Sequence, residues 1–248
     1  PYILCRLNAV SFSEEYENRL AKMFDFVAAY IKPDGTAPQI GDADDGRLHR
    51  LSSEDRIGDR RSESWIRREF QDHRYLLDVG GKLFGVESWR RKAEGKVEES
   101  LWLVPEDLEQ RPFFSAESTS SRCFPDSGFY IMKKGENYLI VDCLKWDGSA
   151  PTGHRHNSRL SFELCVDGVS FIVDPGTYVY TASARLRNLF RSASYHNSVV
   201  VDGAEPDLFS KESLFRVQVR SKVEVLAWKS EEELDFLDCI FTGYKRLS

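Results

Sequence analysis

The sequence predicts an α+β chain in two parts, helical over residues 1–110 and an antiparallel β-sandwich over 111–248. Three observations carry that expectation. Apolar residues recur every three or four positions in the first part, as one face of an amphipathic helix requires. In the second part the period drops to two, the spacing of half-buried strands. Between Asp107 and Ser127 stand Pro112, Pro125 and the serine-rich run STSSRCFPDSG, the composition of a loop or interdomain connection.

Taken in order, residues Tyr2 to Phe12 open directly in an apolar helical pattern with no capping residue, as if continuing a helical domain that starts earlier. In YENRLAKMFDFVAAYI, Leu20, Met23, Phe24, Val27 and Tyr30 share one helix face, and Lys32-Pro33-Asp34-Gly35 stops the run. SWIRREFQDHRYLLDVGGKLFG reads as a second helix ended by Gly80 and Gly81, and SWRRKAEGKVEESLWLV as a third. Downstream, GFYIMKK, NYLIVDCLKW, LSFELCVDG, VSFIVD, HNSVVVDG, FRVQVRSKVEVLAW and LDFLDCIF read as strands. Many short strands with glycine turns argue for an antiparallel sandwich.

Composition narrows the function classes. A formal net charge of −6, with no basic helix and no basic stripe interleaved with aromatics, excludes general attraction to nucleic acid. With 30% charged residues, the chain has no uninterrupted apolar run long enough to cross a bilayer. Cys5, Cys123, Cys143, Cys165 and Cys239 are odd in number and contain no CxxC pair, so they suggest neither a zinc ribbon nor a disulfide scaffold. Cys143 and Cys165 lie in strand-like runs, where a thiol serves as a small hydrophobe. The acidic run from Asp42 to Arg47 is not an EF-hand loop: Asp44 and Asp45 are adjacent, and Ser53 stands where the closing glutamate belongs.

Chemistry concentrates in GHRHNSRLSFELCVDGVSFIVDPGTYVY and RSASYHNSVVVDG, which hold His154, His156, Asp174 and His196, three of the chain's five histidines with one aspartate. If the first stretch is extended, His154 and His156 face the same way. Two imidazoles and a carboxylate suit zinc, and one histidine is left for proton transfer near neutral pH. Arg185, Arg187 and Arg191 fall between Asp174 and His196, and Arg155 and Arg159 flank the histidine pair. Guanidinium groups match the carboxylate or sulfate of an acidic sugar, and equally match the protein's own acids.

In Gly153 to Ser161, Asp174 to Tyr180, and His196 with Asn197, the chain resembles the heparinase II/III-like polysaccharide lyases, which carry a GHxHxDxLS run, a DPGTxxY run and a final HN. The resemblance implies that His154 is catalytic and that His156, Asp174 and His196 hold a mainly structural zinc. One position departs from the pattern: Ser158 stands where the family usually has an acid. The resemblance also implies that the helical part is the end of an α/α toroid, that the chain is an internal piece of a larger enzyme, and that the acidic segment at Asp42 lines a cleft or domain interface, with Arg47 paired to an acid. Tyr2 stands near the place of a toroid tyrosine.

The implied reaction is β-elimination on a polysaccharide containing uronic acid, heparan-like or otherwise acidic. His154 is the expected base, Tyr180 the expected proton donor ahead of Tyr178, and Arg187 and Arg191 the expected contacts to substrate. The setting implied is periplasmic or secreted. Two other classes stay open from the residues alone: a carbohydrate-binding module without catalysis, and a hydrolase whose His/Asp/His metal activates water.

Overall fold

A computed structural model describes residues 1–43, 71–106, 108, 120–145 and 153–247. The chain divides into two compact units. The first comprises Pro1–Ile31, Gly35–Ala37 and Asp45–Thr119, and the second comprises Lys32–Asp34, Pro38–Asp44 and Ser120–Ser248. Two short excursions near residues 32 and 38 thus belong with the C-terminal part, an arrangement that a linear reading does not anticipate.

In the first unit the described helices are α1 (Tyr2–Leu7), α2 (Glu14–Tyr30), α3 (Arg74–Phe84), α4 (Glu87–Lys92) and α5 (Glu98–Leu103). Ser13 caps α2 by accepting the Tyr16 amide at 3.3 Å, and Glu14, Glu15 and Glu17 place negative charge on its first turn. Tyr2, Ala21, Val27, Leu77, Phe84 and Trp89 form the buried core. Gly80 and Gly81 do not end α3, as expected from sequence; the helix runs through them to Gly85, which takes the left-handed conformation at φ 67°. The reason is packing: a Cβ on Gly80 would lie 2.5 Å from Phe24 Cγ. The third helical stretch divides into α4 and α5 around Glu94 and Gly95, both with positive φ.

The second unit is built on a five-stranded antiparallel meander, β1 (Arg122–Phe124), β2 (Phe129–Lys134), β3 (Asn137–Asp142), β4 (Phe162–Val166) and β5 (Val169–Ile172), in that spatial order. Alternation along β3 buries Tyr138, Ile140 and Asp142. A short pair, β6 (Leu208–Phe209) and β7 (Val217–Gln218), precedes a longer hairpin, β8 (Val223–Ser230) and β9 (Asp235–Phe241). Tyr130 and Cys143 from the meander pack with Val223, Val225, Trp228, Leu237 and Phe241 from the hairpin, so two antiparallel layers share one apolar seam. Helix α6 (Ala184–Phe190), capped by the Ser183 hydroxyl, lies between β5 and β6 in sequence. Helices followed by antiparallel sheets make the chain α+β. Among the described residues no helix is long and apolar enough to cross a membrane.

Two strand expectations are corrected. Residues 196–203, HNSVVVDG, form turns and irregular chain, with Val199 67% exposed. Here side chains take over the role of a ladder. Asn197 accepts from the Phe162 amide at 2.8 Å and donates to its carbonyl at 2.6 Å, while Ser198 donates to the Arg159 carbonyl. Residues 153–161 are likewise turns and coil, so the alternation invoked for His154 and His156 does not apply.

Candidate active site and metal centre

Three loops of the second unit bring together His156, from the connection between β3 and β4; Asp174, two residues after β5; and His196, at the end of a 3-10 turn, Ala193–Tyr195. One ligand atom from each lies within 4.8 Å of the other two. His156 Nδ1 is 3.4 Å from His196 Nε2, which is 3.4 Å from Asp174 Oδ2.

The outer partners decide which atoms face inward. His196 Nδ1 lies 2.7 Å from the Ser192 carbonyl, which can only accept, so Nδ1 carries the proton and Nε2 the lone pair. His156 Nε2 donates to Asp42 Oδ1 at 2.9 Å, leaving its Nδ1 lone pair inward. Asp174 Oδ1 accepts the Gly176 amide at 2.9 Å, whereas its buried Oδ2 accepts no hydrogen bond among the described residues. Two nitrogen lone pairs and an unsatisfied carboxylate oxygen therefore converge, a donor set that fits zinc with each imidazole oriented from behind. Burial pushes Asp174 up to about 8 and His196 down to about 4, and lowers His156 as well. Burial thus keeps the imidazoles neutral, the ligand form, and disfavours the ionised form of Asp174 for want of a positive partner.

Asp42 reaches the same place from the excursion over residues 38–44. Gln39 donates its amide to Glu163 Oε1 at 2.6 Å, and that glutamate is neutralised by Lys32 at 3.0 Å. Asp42 donates its amide to the His154 carbonyl at 3.1 Å, and Ala43 donates to the Thr177 hydroxyl at 2.9 Å. So anchored, the Asp42 carboxylate receives both ends of the Arg187 guanidinium, with Nη2 at 2.6 Å from Oδ2 and Nη1 on Oδ1. His154 Nδ1 lies 3.1 Å from Oδ2. Burial alone would raise Asp42, but hydrogen bonds from His156 and Arg187 hold it at about 2, so it is a carboxylate at any working pH. His154 differs from the three convergent residues in exposure: its side chain is 74% accessible.

Tyr180 adjoins this cluster through Arg187, whose guanidinium lies 5.4 Å from its ring centroid, and stacks on Phe215. Tyr178 is exposed and stacks on Phe190. Arg187 and Arg191, the expected contacts to substrate, are both buried, 0% exposed in each case, and are engaged within the protein. Arg187 is engaged by Asp42, and Arg191 by the Leu214 carbonyl at 2.6 Å and by Asn188. Arg155 and Arg159 are also buried, while Arg185 is exposed. Ser158 donates to Asp142 Oδ2 at 2.7 Å, and Arg159 donates to the same oxygen at 3.0 Å, so a carboxylate from the end of β3 stands beside the position where the family's acid is usual.

Residues 116–248 match the family model described as Heparinase II/III-like, C-terminal. The chain belongs to the heparinase II/III-like family. Its fold resembles that of the heparinase III BT4657 gene product, at 20% identity and a TM-score of 0.59, over 92% of this chain and 29% of that one. It also resembles heparan sulfate lyase HepC from Pedobacter heparinus, at 18% identity and a TM-score of 0.54, over 92% and 29%. A third structure, titled heparinase III, gives 14% identity and a TM-score of 0.51, over 92% and 31%. This heparinase II/III-like chain therefore spans less than a third of the length of these solved relatives. No curated protein matches it significantly.

Sequence reasoning brought together His154, His156, Asp174 and His196, and missed the part played by Asp42. Its acidic run was assigned to a cleft or interface without a partner. The signals available were the family resemblance of the acidic segment and an aspartate just after a glycine in a stretch with no helical or strand period, and neither names His154 or His156 as its partner. Asp44 to Arg47, including the expected pairing of Arg47, lies outside the described residues.

Proposed function

We propose that this chain carries part of the active site of a polysaccharide lyase that cleaves an acidic, uronate-containing polymer by β-elimination, and that its helical unit is the end of an α/α toroid. The observation that carries the reading is one accessible histidine, His154, held by a buried carboxylate beside a convergent His/Asp/His set in a heparinase II/III-like chain. In the reaction His154 takes the proton from C5 of the uronate. The C5–H electron pair forms the C4–C5 double bond, and the C4–O bond breaks. Tyr180 delivers a proton to the departing oxygen. No water is consumed.

Zinc is the metal proposed for His156, Asp174 and His196. When bound it supplies positive charge that ties three loops together. The histidine side chains are 0% exposed and Asp174 only 3%, which supports a structural role over activation of water for hydrolysis. A polymer of this kind is met outside the cytoplasm, so a periplasmic or secreted setting is part of the proposal.

The test uses the full-length protein with heparan sulfate, heparin, alginate and hyaluronate, reading ultraviolet absorbance of the unsaturated product and its mass. His154→Ala is expected to lower kcat by about 10²–10⁴, the usual range for a general base. Product heavier by one water would replace elimination with hydrolysis, and binding without product would replace the enzyme with a carbohydrate-binding module. Elemental analysis is expected to find zinc, lost in His196→Ala.

A further inference from the structure

We infer that Asp42 is the positioning residue of the reaction: through its two oxygens it orients His154 and His156 together, and it fixes His154 as the tautomer whose Nε2 lone pair faces substrate. The inference rests on the lyase reading for its consequence, while its geometry stands apart from it. Asp42 Oδ2 lies 3.1 Å from His154 Nδ1 and Oδ1 lies 2.9 Å from His156 Nε2, so one carboxylate holds the backs of both rings. A carboxylate accepts only, hence both facing nitrogens donate. His154 then has a single free lone pair, on Nε2, at the end of a ring that is 74% accessible. An imidazole in water favours the opposite tautomer, with the proton on Nε2, which could take nothing from a substrate at that atom. When Nε2 gains a proton, the charge on the ring is met at once by the carboxylate behind it.

The surroundings are built to keep that carboxylate still. Its side chain is 0% exposed, Arg187 grips both oxygens, and the backbone on either side is pinned to Glu163, His154 and Thr177. A residue needed only to fill space would not require two charge-assisted bonds and two imidazole bonds on one group. The arrangement also ties the proton-transfer histidine to the metal loops, because the ring beside His154 on Asp42 is a member of the convergent set.

The experiment labels histidine with ¹⁵N in the full-length protein, loads it with zinc, and records long-range ¹H–¹⁵N imidazole spectra at alkaline pH, with His154→Ala for assignment. His154 is expected as the Nδ1–H form, and in Asp42→Asn that preference is expected to weaken, since an amide offers one acceptor where two are needed. In zinc-loaded Asp42→Asn, kcat is expected to drop by about 10²-fold or more with KM within about threefold, and Asp42→Glu to recover part of the loss. A wild-type His154 protonated on Nε2 overturns the inference, whether or not the variant folds. So does a zinc-loaded Asp42→Asn protein that retains wild-type kcat. Nδ1–H at His154 in a protein that makes no unsaturated product supports the orientation and removes the proposed reaction instead.

Discussion

At the residue scale, the most consequential contact is the fork of Arg187 on Asp42, because both side chains are 0% exposed. Removing one member of a buried pair strands the other charge, which costs on the order of 3–5 kcal/mol. Arg187→Ala is therefore expected to lower the unfolding free energy from denaturant titration by that order, with Arg187→Lys in between; an unchanged unfolding free energy in both would show the pair is dispensable. Asp174 gives a pH effect of known sign. Burial raises its folded value to about 8 from an unfolded 3.8, so without metal it contributes stability that is complete below about pH 4 and lost as pH rises through 8. In chelator, Asp174→Asn is expected to flatten that decline, as followed by chemical denaturation at a series of pH values.

Elements place these residues by devices that differ between the two units. In the helical unit α3 approaches α2 so closely at Gly80 that a Cβ would overlap the Phe24 ring root. Gly80→Ala gains helix propensity but must displace Phe24 at its Cβ and Cγ, not at a flexible tip. A net loss of about 1–3 kcal/mol is expected, read as a lower thermal midpoint; a rise would show that α3 shifts freely. In the second unit, the loops carrying the site hang from regular strands by side chains. Asn197 bonds both polar groups of the Phe162 backbone at the start of β4, and Glu163 on that strand holds the Gln39 amide. Loop positions are thus referred to a rigid strand, which accounts for a convergent donor set in irregular chain.

For the whole molecule, the proposed capture of an acidic polymer falls to exposed cations such as Arg185, since Arg187 and Arg191 are buried. These 248 residues, with net charge −6, draw a polyanion only through such local groups. On the proposed lyase reading, the full-length protein's apparent KM is expected to rise severalfold between about 0.05 and 0.5 M salt, as screening shortens from roughly 14 to 4 Å. A salt-independent KM, together with cleavage of a neutral glycan, would overturn the acidic substrate. Arg185→Ala is expected to raise KM with kcat little changed, since a surface charge acts on encounter more than on chemistry.

What the sequence determined by itself is what local pattern and residue type can encode. The switch of apolar period marks the helical and strand regions, and residue type gathers His154, His156, Asp174 and His196 as candidates, among which the family resemblance, not the pattern itself, picks a donor set. Tertiary structure decided the rest. Asp42 meets His154 across 112 positions of chain, a distance over which periodicity carries no information. The same holds for the arginines: a guanidinium reads alike in sequence whether it faces a sugar or an internal aspartate, and only packing buries it. HNSVVVDG has the alternation of a strand, yet Asn197 and Ser198 spend their hydrogen bonds on neighbouring backbone. Propensity is a weak local preference, and a few well-placed side-chain bonds outweigh it.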